Sequence, residues 1–229
     1  KAASYNKQFL HLLEANPLLM QLHADRYFSV LNNYLIDCLI LKDYETLENG
    51  LTQMRGLQKL KGFRRLVNFE ANVFRLGYLL EMNYLISLGR FTDLYGKLNA
   101  AKNGLEQYGE KVVKHNRITL YYLMAYTCFA VNKYDEVQDY LFPVIQEKET
   151  AVAQEVQVAA KMLQLLCHFE KGDMLLADSL VKAVRRILKK DETAEAHRIV
   201  LTFINAAVNK REITADKWNT IKKKIQALT

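Results

Sequence analysis

Aligning the residues that open the second helix of each apparent helical pair gives Tyr44, Phe91, Tyr134, Met174 and Ile213, at intervals of 47, 43, 40 and 39 residues. A unit of about forty residues holding two helices cannot bury its apolar face alone, so its copies must stack into an α-solenoid. The clearest copy is Leu120–Ile145 (LYYLMAYTCFAVNKYDEVQDYLFPVI), two amphipathic helices joined by a tight turn at Asn132-Lys133. Only two prolines and nine glycines interrupt 229 residues, which favours helices over a many-turned β fold.

Read in order, the chain divides into a partial unit over residues 1–17 and hairpins over about 19–58, 63–108, 112–148, 151–190 and 193–228. Asn16-Pro17 stops the first helix, and Lys42-Asp43, Gly89-Arg90, Asn132-Lys133 and Lys171-Gly172 mark the hairpin turns. The spacing predicts unbroken long helices over Leu19–Leu41 and Phe63–Leu88. A further helix is expected from Phe91 to near Gly109, with Gly96 and Gly104 either fraying it or admitting a neighbouring backbone. Pro143 removes a donor to the Asp139 carbonyl, so a kink or an early end is expected there. The last helix, Thr214–Leu228, sets Trp218, Ile221, Ile225 and Leu228 on one face and lysines on the other, as a capping helix would.

These residues resemble the tetratricopeptide repeat, a helix-turn-helix unit usually of about 34 residues. The turn NKYDEV, with Tyr134 as its aromatic and Val137 in the small-residue place, stands where that family has a turn like G-D-Y-x-x-A. Gly89-Arg90-Phe91 and Gly172-Asp173-Met174 repeat the turn, and Phe9, Leu12 and Pro17 match the end of the family's second helix. The repeats here are longer than the family's, Lys42-Asp43 lacks the turn glycine, and Val137 and Leu94 replace the usual alanine. The chain thereby looks like divergent bacterial members with long repeats, and like the peptide-sensing domains of some bacterial transcription regulators. The resemblance implies one all-α domain, a right-handed superhelix of stacked antiparallel hairpins with about ten or eleven helices, and a protein-binding or peptide-binding role.

The resemblance also implies where a partner would lie, because the first helix of each repeat lines the family's concave surface. Carried across, the groove positions include Asn32, Asn83, Tyr122, Tyr126, Phe129, Met162 and Phe169. A side-chain amide donates to a peptide carbonyl and accepts from its N–H, while aromatic walls hold its side chains. The competing expectation is that the same stripe is ordinary core, since apolar residues at helical spacing usually are.

A second candidate surface is the basic stripe Lys182, Arg185, Arg186 and Lys189, which recurs at i, i+3, i+4 and i+7, with Lys222, Lys223 and Lys224 beyond it. With a formal net charge of +7 it suits an acidic partner or nucleic acid, because phosphate contacts are mainly Coulombic. A solvated helix face has the same appearance.

Enzymatic chemistry has little support in the sequence. Five histidines form no HExxH arrangement, no Gly-rich phosphate loop occurs, and only the adjacent pair Cys167-His168 suggests a dyad. Cys38, Cys128 and Cys167 form no CxxC pair and sit in apolar runs, which points to buried free thiols and a reducing, cytoplasmic setting. No cofactor, metal or membrane partner is expected, and association with a second copy remains open. Lys1 is not a methionine, so the expectation is of a fragment of a longer chain.

Overall fold

The computed structural model of the chain describes residues 2–147, 151–188 and 195–209. Among them every regular element is helical. The expected capping helix Thr214–Leu228, with Ile213, Trp218 and Lys222–Lys224, lies outside the described residues, as do Lys189 and residues 193–194.

The chain divides into two compact units, Lys1–Leu123 and Met124–Thr229, with the division inside one helix. The first unit contains α1 (Ala2–Glu14), α2 (Pro17–Leu22), α3 (Ala24–Ile40), α4 (Tyr44–Gly56), α5 (Lys61–Arg64), α6 (Phe69–Ser87), α7 (Phe91–Tyr95) and α8 (Leu98–Tyr108). The helix α9 (Lys114–Ala130) carries the division. The second unit continues with α10 (Tyr134–Gln146), α11 (Ala151–Glu170), α12 (Met174–Leu188) and α13 (Glu195–Val208). Within the first unit α3 packs on α1, α4 and α6, and within the second α11 packs on α10, α12 and α13.

Four turns share one geometry. Lys42, Gly89, Asn132 and Gly172 are all left-handed, with φ of 59, 67, 61 and 76°. In each, the left-handed residue donates its N–H three residues back, to Leu39, Ile86, Phe129 and Phe169. The following residue donates five back, to Cys38, Leu85, Cys128 and His168, at 2.8–3.0 Å. These paired bonds satisfy the last carbonyls of the outgoing helix and stop it cleanly. The next helix starts at once; Asp43 and Asp173 cap theirs by accepting from the N–H of Thr46 and Leu176.

Counting from the left-handed residue puts the four hairpins in one register. Five residues on, Leu47, Leu94, Val137 and Ala177 are fully buried. Nine on, Leu51, Leu98, Leu141 and Val181 are buried, and twelve on, Met54, Ala101, Val144 and Val184. Seven before it, Leu35, Met82, Ala125 and Leu165 are fully buried in the first helix. The helical repeat read from the sequence is therefore repeated in the core, position by position.

Three expected boundaries are corrected. The helix expected over Leu19–Leu41 is two, α2 and α3, broken at His23 (ψ 39°). The break lets α2 lie on α5: a Cβ on Gly62 would stand 2.6 Å from the Gln21 carbonyl oxygen, and the Gly62 N–H donates to Gln21 Oε1. The helix expected from Phe63 begins at Phe69, after left-handed Asn68. Phe63 belongs to α5 instead, fully buried with its ring 5.8 Å from Tyr27 and 5.6 Å from Phe69.

The helix expected from Phe91 to Gly109 breaks between α7 and α8 at Gly96-Lys97. Gly104 instead admits a neighbouring side chain and not a backbone, since a Cβ there would collide with the Phe74 ring. The short helices take the number of helices past the ten or eleven expected. Pro143 does not end its helix early, for α10 runs on to Gln146.

Candidate functional site

The same register locates the first-helix stripe. Three residues before the left-handed position, Leu39, Ile86, Phe129 and Phe169 are all half-buried. Six before, Ile36 and Asn83 are exposed and Tyr126 and Leu166 half-buried. Ten before stand Asn32, Leu79 and Tyr122, each half-buried, and Met162. The position three residues before the turn is thus half-buried in all four copies, one turn from a position that is sealed in all four.

The expected site residues divide on inspection. In the first unit, Asn32 is half-buried and its Oδ1 is buried without a hydrogen-bond partner, whereas the exposed Asn83 turns its Nδ2 back to the Leu79 carbonyl at 2.7 Å. Tyr122 already takes part in an interaction within the chain, and so does Tyr126 in the second unit. Phe129 sets its ring 5.5 Å from Tyr134, and Phe169 meets Phe203 edge to face at 6.5 Å. Met162 is 4% exposed and packs in the core with Leu165, Val181 and Leu201. It is core, and the half-buried Leu166 and Phe169 pack against the same cluster.

The basic stripe lies on α12. Its buried side carries Ala177, Val181, Val184 and Leu188, so Lys182, Arg185 and Arg186 are exposed. Lys182 is paired with Asp178 one turn earlier, which offsets its charge.

Cys167 and His168 do not form a dyad. Adjacent helical residues point in different directions, and Cys167 Sγ donates to the Tyr134 carbonyl at 3.4 Å while His168 Nε2 faces the Gln138 amide at 3.3 Å. Burial pushes the Cys167 and Cys38 thiols up, and that of Cys128 up to about 12. All three cysteines are free and buried. Among the described residues no group of three or more His, Cys, Asp or Glu is placed to hold a metal ion, and no helix is long and apolar enough to cross a membrane.

A cleft that sequence reading missed opens in the first unit between α1 and α4, with α3 as its floor. It encloses about 580 Å³. Leu10, Leu31 and Leu35 line its base beside Tyr34 and Gly50, while Ser4, Lys7, Gln8, His11 and Glu14 of α1 face Thr46, Asn49 and Gln53 of α4. A Cβ on Gly50 would have to displace the Leu35 side chain. One end is closed by a network in which Glu14 Oε1 accepts from Tyr27 Oη at 2.6 Å and from Gln53 Nε2 at 2.8 Å. Burial raises the Tyr34 phenol to about 12, so it stays a neutral donor. The signal for this site was weak because α1 and α4 are separated by twenty-nine residues of intervening chain.

No protein-family model, curated protein or solved structure matches the chain.

Proposed function

We propose that the chain is a non-enzymatic scaffold of tetratricopeptide-like hairpins that binds a protein or peptide along its first-helix faces. One observation carries this reading: the half-open positions three and six residues before each turn are apolar or aromatic in every hairpin except at Asn83. Half-buried apolar side chains in register along successive helices leave part of their surface for hydrophobic contact with a partner, and the amides of Asn32 and Asn83 supply orientation. In this reading the superhelix is the family's, the partner enters extended, and a cytoplasmic peptide-sensing domain of a bacterial regulator is one setting in which such a module works.

The experiment is selection of a displayed random peptide library on the intact chain. Enriched peptides should carry spaced apolar residues and should bind at least tenfold more weakly to the Ile36→Asp variant, which remains folded because Ile36 is already exposed. Affinity should change little between 50 and 200 mM salt, since no counterions are released. The competing basic-face mode, on Arg185 and Arg186, predicts acidic peptides, a fall that steepens with each charge neutralised, and loss in Arg185→Glu. That second outcome would overturn the proposal.

A further inference from the structure

We propose that Arg75 anchors a carboxylate of the bound segment at one end of the first-helix stripe; this deepens the reading above and rests on it. Fourteen residues before the left-handed position stand Phe28, Arg75, Ile118 and Val158. Phe28 and Ile118 are buried, and Val158 packs on the core of the second unit. Three hairpins thus fill this position with an apolar side chain, whereas α6 places a cation there. A chain that keeps a packing rule in three copies and breaks it in one gains something other than packing at the exception.

Arg75 is half-buried, and both of its partners are neutral. Nε donates to Asn72 Oδ1 at 2.9 Å and Nη1 to Asn116 Oδ1 at 2.8 Å, all within the first unit. Among the described residues no carboxylate pairs with the guanidinium. Burial lowers its pKa and no acid offsets the shift, yet an arginine side chain keeps its proton in any protein setting. A desolvated charge without a counter-charge is costly, and an anion placed against it relieves that cost.

The acids around it are accounted for. On α6, Glu70 is exposed and acts on Tyr108, while Glu81 is paired with Arg55 and Lys97. On α3, Asp25 is exposed and Asp37 is held by the Asn6 amide. The helix α9 carries no acid, and Lys114, His115 and Arg117 flank Asn116. None of the acids acts on Arg75.

The anchor faces the stripe. Asn72 shares a face of α6 with Leu79, Asn83 and Ile86, at intervals of seven, four and three. Nη2 has no partner among the described residues and is not sealed from water, so its two N–H groups remain to be used. A planar, singly charged carboxylate matches one planar guanidinium held by neutral amides in both geometry and charge. A phosphate dianion is left half-neutralised by it.

The test uses the intact chain, labelled with ¹⁵N, and three probes: acetylated, amidated Ala-Leu-Ala-Leu-Ala, the same acetylated peptide with a free C-terminal carboxylate, and acetylated, amidated Ala-Leu-Asp-Leu-Ala. At millimolar concentration an acidic probe should shift the Arg75 Nε–H signal and the side-chain amide signals of Asn72 and Asn116. It should bind at least fivefold more tightly than the neutral probe, and which of the two does so tells a terminal carboxylate from an acidic side chain. Arg75→Leu should abolish the preference and leave the urea midpoint unchanged or higher, since Phe28 and Ile118 are apolar at the same position. Arg75→Gln, which keeps an amide donor but no charge, should abolish it as well. With no acid preference in the unsubstituted chain, Arg75 is only a tie between α6 and α9, and the proposal is overturned. It is also overturned by a preference that survives Arg75→Gln or is lost in Arg185→Glu, or by a tighter response of the three signals to inorganic phosphate than to either acidic probe. Ile36→Asp should weaken all three probes together and keep their order. Its failure to weaken them counts against the first-helix reading, while equal affinities for all three probes count against Arg75 alone.

Discussion

Lys42 and Asn132 pay a steric cost that Gly89 and Gly172 do not, although all four hold the same left-handed turn. A left-handed L-residue is disfavoured by roughly 1–2 kcal/mol, and glycine escapes this while losing about 0.5–1 kcal/mol of chain entropy. Lys42→Gly should therefore stabilise the chain by up to about 1 kcal/mol. Gly89→Ala should destabilise it by about 1 kcal/mol through the backbone alone, since nothing lies within 4 Å of the added Cβ. Urea midpoints measure both, and equal signs would contradict the shared geometry. The cysteines give a second residue-scale prediction. With Cys38, Cys128 and Cys167 buried and their thiols raised, a thiol reagent at pH 8 should label none of them in the native state and all three in denaturant.

At the scale of elements, the two glycines of the α7–α8 region should respond in opposite directions. Gly96→Ala meets nothing nearer than 3.5 Å in a right-handed conformation, so it should stabilise by about 0.5–1 kcal/mol. Gly104→Ala must displace Phe74 and should cost roughly 1–3 kcal/mol, part of which Phe74→Leu recovers. Thermal unfolding of the three variants checks this.

The hairpin turns were legible in the sequence because Gly89, Asn132 and Gly172 are residue types that tolerate a left-handed backbone, and Asp43 is a good cap. The breaks at His23 and before Phe69 were not. Each is set by a partner distant in sequence, Gln21 against Gly62 in one case and Phe63 between Tyr27 and Phe69 in the other. Residues 63–68 have no breaker until Asn68, so helical periodicity reads straight through them. The first-helix stripe was legible as a set of positions, but spacing alone could not separate half-open Phe129 and Phe169 from buried Met162. The cleft needed α1 beside α4, which no local pattern encodes.

At the scale of the molecule, four hairpins repeat one pattern of sealed and half-open positions. Core positions tolerate little change: Leu47→Ala or Leu94→Ala should cost about 2–5 kcal/mol. The positions three residues before each turn differ in kind, because each side chain there is only half-buried. That difference lets the central claim be tested directly by site-specific photocrosslinking. Benzoylphenylalanine is placed singly at positions 39, 86, 129 and 169, and as controls at 52 and 185, and irradiated with a peptide selected on the intact chain. Crosslinks are expected from the first four positions and none from the controls. Crosslinks confined to position 185, or equal at all six, would contradict it.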